Sequence, residues 1–217
     1  MQYCLIVPFK FSEAALLELD SIYKPAFKEF EISNTNSGNA SWLTQAHKIQ
    51  DQINYSIVGD ECRAQLLGFN LGRPWYQFFF YRTVLGKIPT RGNPHLDSID
   101  ENTVAPFRFN VMLEGNPNDD LAWWNVDRNN PIIEDKKFLH PSGAPGYLLQ
   151  VMGENNEQRL QLLGKPAHIQ NQMTVPNVHG SFVRTDLVHS LWMTGERRIM
   201  FSLRFADSWD KIGNCRG

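Results

Sequence analysis

Arg198-Ile199-Met200-Phe201-Ser202-Leu203-Arg204-Phe205 sets Arg198, Met200, Ser202 and Arg204 on one face of an extended segment and four large apolar side chains on the other. A period of two is that of a β-strand with one face on an apolar core. Its polar face is expected to line an interior, where a charge is costly without a partner. From about residue 74 onward, similar short β-rich runs recur between Gly, Pro and Asn breaks: Tyr76 to Val84, Phe107 to Leu113, Leu121 to Val126, Gly146 to Met152, Ala167 to Met173 and Ser181 to Arg184. This punctuation predicts an antiparallel sandwich or barrel. Ahead of it the chain opens on a strand, Tyr3 to Pro8, and the pattern then turns helical. Ser12 is a candidate cap, Glu13 suits the positive helix start, and Ala15, Leu16, Leu19, Ile22 and Tyr23 recur at helical spacing until Pro25. A polar loop, Ser33 to Ala40, leads to a second helical pattern through Trp42, Leu43, Ala46, Ile49 and Ile53. Helices first and strands after give an α+β class, with residues 1–73 as helical support and 74–206 as the strand core of a single domain.

Two short motifs carry chemistry. In Pro94-His95-Leu96-Asp97, the imidazole and the carboxylate two residues apart share a face of an extended segment. One further histidine, such as His189, completes two nitrogens and one carboxylate oxygen, the set that holds non-haem Fe(II) and leaves other positions open. Nine residues after His189 comes Arg198, whose planar fork suits a carboxylate.

The ordered set from residue 75 to 206 resembles the 2-oxoglutarate/Fe(II)-dependent oxygenase superfamily, and in layout its small prolyl-hydroxylase-like members. The resemblance runs from Phe78-Phe79-Phe80-Tyr81-Arg82 through His95 and Asp97, the strand from Phe107, the polar turn from Gly115 to Asp120, Trp123-Trp124 and Gly180-Ser181-Phe182-Val183, to His189 and Arg198. It implies a double-stranded β-helix, or jelly-roll, core braced by the N-terminal helices. It also implies Fe(II) on His95, Asp97 and His189, with 2-oxoglutarate and O2 as cosubstrates. Arg198 is then the anchor for the distal carboxylate, and Ser202 and Asn110 are further candidates to bind the cosubstrate. The implied reaction releases succinate and CO2 and hydroxylates an unactivated carbon of an amino-acid-like, peptidyl or small-molecule substrate.

Alternatives stand beside these assignments. His168, His179 and His140 are competing histidines, and Arg197 and Arg204 compete with Arg198. Arg204 shares the face of Arg198 but lies roughly 20 Å further along at strand rise. Tyr81, Arg82, Arg108, Trp123 and Trp124 are candidate substrate contacts, although strand aromatics more often pack a core. Two rival functions remain: a cupin-type metalloprotein, for which Glu101 after His95 and Asp97 would complete a ligand run, and a non-catalytic jelly-roll binding or sensor protein.

The stretch between Asp97 and His189 is long for a compact member of the superfamily. Its excess, at about 127–165, carries Pro131, Pro141, Pro145 and Gly164 and reads as an inserted lid or subunit contact, leaving an oligomer open. Composition fits a globular enzyme: 217 residues are 42% apolar and 20% charged. A net charge of −2 offers no broad grip on nucleic acid. No apolar run reaches membrane-spanning length, and the N-terminus lacks a charged leader. Cys4, Cys62 and Cys215 show no pairing motif, so a reducing cytoplasm is expected.

Overall fold

The computed structural model describes residues 1–33, 39–43, 46–83, 90–97, 105–139, 145–171 and 176–213. Val84, Glu101, His140, Met173 and Cys215, each named above, lie outside this set. In chain order the elements are β1 (Cys4–Pro8), α1 (Glu13–Ser33), β2 (Asn39–Leu43), α2 (Ala46–Asn54), α3 (Ile57–Leu66), β3 (Trp75–Thr83), β4 (Thr90–Arg91), β5 (His95–Leu96), β6 (Phe107–Glu114) and β7 (Asp120–Trp123). They continue with β8 (Ile133–Leu139), β9 (Pro145–Val151), α4 (Asn156–Leu163), β10 (His168–Gln170), β11 (His179–Arg184), β12 (His189–Met193), β13 (Arg197–Phe205) and α5 (Asp210–Gly213).

The strands form two antiparallel sheets, the architecture of a jelly roll. The larger in strand length, with six strands, runs β1-β11-β6-β13-β3-β2; the smaller, with seven mostly shorter strands, runs β10-β7-β12-β5-β9-β8, with β4 added beside β12. Alternation along β13 sorts its residues as its sequence requires. Ile199, Phe201, Leu203 and Phe205 join Phe78, Phe80, Phe107, Phe109 and Phe182 in one apolar cluster with Leu19, Phe27, Ile53, Val58 and Cys62 of the helices. The helices therefore cover the outer face of the larger sheet. The outer face of the smaller sheet is closed by Leu96, Ala122, Trp124, Leu149, Val151 and Val188, against which Leu160 and Leu163 of α4 pack. The polar faces of both sheets are left to meet in between.

Three N-terminal features differ from expectation. Ser12 does cap, its Oγ accepting from Ala15 N at 3.2 Å, but α1 runs through Pro25 to Ser33. Proline removes one helical hydrogen bond, yet Tyr23 and Phe27 on either side of it pack against the rings of Phe78 and Phe80 at centroid distances of 5.7 and 5.2 Å, and tertiary packing overrides propensity. Trp42 and Leu43 belong to β2, not to a helix, because the chain there pairs with β3, Trp42 opposite Phe80. Helix α3 was not anticipated. Its signal is Ser56, which accepts from Gly59 N as the N-cap.

The described parts of the segment 127–165 belong to the sheet. They supply β8, β9 and α4, and β9 hydrogen-bonds directly to β5.

One close approach in the larger sheet yields a clean stability prediction. A Cβ on Gly180 would lie 2.0 Å from Phe109 Cζ, and that ring is fully buried. Gly180→Ala should therefore cost about 1–3 kcal/mol by overpacking, read as a lowered midpoint in chemical denaturation.

Candidate metal and cosubstrate site

Strand β5 is only two residues long, but it is held on both sides. His95 stands opposite His189 of β12 and opposite Gln150 of β9. Paired residues of neighbouring strands share a face, so both imidazoles project between the sheets with ring centroids 4.6 Å apart. Asp97 follows at the strand end, where its N–H donates to Thr185 O at 3.1 Å and its carbonyl accepts from Ala105 N at 2.9 Å. Both backbone groups of the carboxylate residue are thus fixed.

The histidines are oriented by carbonyls. His95 Nδ1 lies 2.8 Å from Asn93 O, and His189 Nδ1 lies 3.0 Å from Leu187 O. A carbonyl only accepts, so each Nδ1 carries the hydrogen and each Nε2 keeps its lone pair for a ligand. The two Nε2 atoms stand 3.7 and 3.8 Å from Asp97 Oδ1 and Oδ2. One donor atom from each of His95, Asp97 and His189 lies within 4.8 Å of the others. Two neutral nitrogens and one anionic oxygen fit a divalent first-row ion such as Fe(II).

Charge around the triad is uneven. Arg108 of β6 and Arg204 of β13 are cross-strand partners, both buried. Arg108 Nε stands 2.5 Å from Asp97 Oδ2 as an ion pair, at an angle that is not that of a hydrogen bond, and the guanidinium lies over the Phe79 ring at 4.5 Å. Burial, then Arg108, push Arg204 down to about 9, with Asp97 opposing. For Asp97, burial alone would raise the carboxyl, but Arg108, His189, His95 and Arg204 together hold it below its ordinary range. Burial, then His95, lower His189 to about 4 against the pull of Asp97. At neutral pH its ring is uncharged and ready to ligate.

A pH dependence follows for the metal-free protein. The His189 pKa is lower when folded than the ordinary value of 6.5, so the unfolded chain binds more protons than the folded one between those values. Stability is full above about 6.5 and falls as pH drops toward about 4. Thermal melting of apo-protein across that range should show the decline, and His189→Gln should flatten it.

Arg198 is buried among partners of its own. Its Nη1 donates to Asp119 Oδ2 at 3.2 Å, its Nη2 contacts Met200 Sδ at 3.7 Å, and its Nε is buried with no acceptor. Asp119, fully buried, also accepts from Thr194 N and Oγ1. Beside Arg198 in the register stands Tyr81. Burial raises the Tyr81 phenol, with Asp97 adding to the shift and Arg108 and Arg198 opposing it, so it remains a neutral donor. Ser202 Oγ donates to Asn110 Oδ1 at 2.8 Å on the same interior face.

The remaining candidates separate. Trp123 is interior: it stands opposite His189 in the register and donates from Nε1 to Arg184 O at 2.9 Å. Trp124 faces away, in the outer cluster of the smaller sheet, with its Nε1 donating to Gly164 O. Arg82 is on β3, its side chain outside the described set. Asp119 was missed, although it lies within the polar turn noted from Gly115 to Asp120.

No family model and no curated protein sequence matches the chain. Among solved structures it is similar to a Pseudomonas putida prolyl-4-hydroxylase, at 11% identity over 94% of this chain and 92% of that one, with a TM-score of 0.42. It is similar to AviO1 from Streptomyces viridochromogenes at 12% identity, with coverage of 94% and 90% and a TM-score of 0.45. HygX from Streptomyces hygroscopicus, solved with nickel and 2-oxoglutarate bound, gives 7% identity, coverage of 95% and 83% and a TM-score of 0.42. Likeness at this level carries nothing about activity. The strand order and the His-Asp-His triad define the class: a jelly-roll protein with a candidate metal centre, resembling the 2-oxoglutarate/Fe(II)-dependent oxygenases.

Proposed function

We propose that the protein is a 2-oxoglutarate- and Fe(II)-dependent dioxygenase that hydroxylates an unactivated carbon of an amino-acid-like, peptidyl or small-molecule substrate. The observation that carries this reading is the convergence of His95, Asp97 and His189, both imidazoles oriented by carbonyls, in an interior that also holds a buried arginine with an unmet donor. His95, Asp97 and His189 would hold the ion. Iron(II), when bound, supplies the redox chemistry that couples decarboxylation of 2-oxoglutarate by O2, giving succinate and CO2, to oxidation of a substrate C–H bond.

The protein's own residues bind, orient and exclude water. Arg198 takes the distal carboxylate through the donors that Asp119 leaves unused, and Tyr81 adds its O–H. Ser202 and Asn110 keep the floor between them polar but internally satisfied. Leu121, Trp123, Val183 and Leu187 form an apolar cluster that closes the side of the site next to His189. Cys4 and Cys62 are free thiols, which supports placing the enzyme in a reducing cytoplasm, and no helix among the described residues is long and apolar enough to cross a membrane.

Anaerobic titration with Fe(II) and 2-oxoglutarate tests the reading. The weak visible charge-transfer band of the chelate is expected in the wild type, absent in His189→Ala and much weakened in Arg198→Ala. No band in the wild type at millimolar cosubstrate would reject it in favour of a cupin-type or non-catalytic jelly roll.

A further inference from the structure

The segment that leads into His95, residues 91–94, is gripped from both sides before it reaches the ligand. On one side is β12: Gly92 N donates to Leu191 O at 2.7 Å, and Ser190 Oγ donates to Gly92 O at 2.6 Å. On the other side is α4. Asn155 caps this helix, its Oδ1 accepting from Gln158 N at 3.0 Å, and the turn that follows sets Asn156 and Arg159, three residues apart, on one side. Asn156 Nδ2 donates to Arg91 O at 2.8 Å. Arg159 is buried and bonds at three places at once: from Nε to Val151 O at 3.1 Å, from Nη2 to Gly153 O at 2.6 Å and from Nη1 to Asn93 Oδ1 at 3.4 Å.

These bonds converge on a metal ligand. Asn93 O is the carbonyl that accepts from His95 Nδ1, and Val151 N donates to Pro94 O at 3.5 Å. Arg159 therefore joins the residue whose carbonyl orients the imidazole to the residue of β9 that holds the peptide in between. Pro94 restricts Asn93 to extended backbone, so fixing the Asn93 side chain leaves its carbonyl few directions to take. Gly153, at φ +139°, brings its carbonyl to the guanidinium without a side chain of its own; a Cβ there would stand 3.1 Å from Arg159 Cγ. A planar fork can serve spread acceptors in one fixed geometry, which a lysine ammonium cannot.

We propose that Arg159 is a positioning residue of the metal centre, acting through Asn93 to fix the His95 imidazole. His95 is the ligand that needs it: its side chain is 28% exposed against 8% for His189, so packing holds it less. His189 takes its orientation from Leu187 O, outside this clamp. Helix α4 is then the part of the 127–165 segment that sets metal affinity, although it carries no ligand of the triad. This deepens the metal-centre reading and rests on it.

Co(II) is the probe, added to the full chain free of metal. A histidine that ligates through Nε2 presents its Nδ1 proton as an exchangeable, paramagnetically shifted resonance, so the wild type should show one for His95 and one for His189. The faster-exchanging one belongs to the more exposed His95. Arg159→Lys keeps a donor for the carbonyls of Val151 and Gly153 but loses the fork that reaches Asn93, and Asn93→Ala removes only the far end of the link, at an exposed residue. Each is expected to weaken Co(II) binding about ten-fold, and to shift or broaden the His95 resonance while the His189 resonance stays in place. The double variant should lose little beyond either single change, because both break the same link. A wild-type Co(II) affinity and His95 resonance in Arg159→Lys, equal disturbance of both resonances, or fully additive losses in the double variant overturns the proposal. If Arg159→Lys does not fold, Asn93→Ala decides alone, and an unchanged His95 resonance overturns it. A wild type that takes up no Co(II) would instead reject the metal-centre reading itself.

Discussion

Asp97→Ala is expected to abolish iron binding and also to destabilise the metal-free protein. Loss of the metal is direct, since the substitution removes the anionic donor of the triad. Even replacing a residue that only hydrogen-bonds to a metal ligand weakens binding about 10–100-fold, so removal of a ligand should exceed that. Loss of stability is less obvious and follows from Arg108 and Arg204. Both are buried, side by side across β6 and β13; Asp97 is the ion-pair partner of Arg108 and also attracts Arg204. Stripping one partner from a buried ion pair typically costs about 3–5 kcal/mol, because it leaves an uncompensated charge. Urea denaturation of apo-protein should show that loss. Asp97→Asn keeps the shape without the charge and should fall nearly as far. If Asp97→Ala were as stable as wild type without metal, the electrostatic account of this corner would be wrong.

The second large effect belongs to Asp119. Asp119→Ala leaves Arg198 buried without its carboxylate and releases Thr194 N and Oγ1, so a loss of about 3–5 kcal/mol is expected. A small dicarboxylate then becomes a test of position. If Arg198 receives the distal carboxylate of 2-oxoglutarate, millimolar 2-oxoglutarate with Fe(II) should raise the melting temperature of Asp119→Ala by clearly more than it raises that of wild type, because the ligand fills a vacated role as well as its own. An equal rise in both proteins would move the anchor away from Arg198, toward the Arg204 end of β13. Replacing Asp119 and Arg198 together by Leu and Met should be far less damaging than either single change.

Much of this was legible in the chain itself. The eight residues from Arg198 to Phe205 predicted which side of β13 meets the helices, because a period of two needs no tertiary knowledge. The His-x-Asp spacing worked for the same reason, as side chains two apart on an extended segment converge. What could not be read locally was set by pairing. Trp42 and Leu43 look helical in isolation and become strand only because β3 offers an edge. Pro25 looks like a stop and is carried by Tyr23 and Phe27 packing on the sheet. The Pro- and Gly-rich stretch at 127–165 looks like an ornament, yet through β9 it completes the sheet around β5. Asp119 carries no pattern at all. Its role exists only because β13 brings Arg198 alongside.

Those long-distance pairings have a kinetic corollary. Arg198 meets Asp119 across 79 residues, and Ser202 meets Asn110 across 92. His95 gains its neighbours only after β9 and β12 have both been synthesised and docked. A nascent chain cannot hold these donors together, and domains of high contact order fold on millisecond-to-second timescales. Metal capture by the triad should thus be the final event of folding. The rate of metal uptake in a refolding experiment would time completion of the smaller sheet, and not the earlier collapse of the aromatic core.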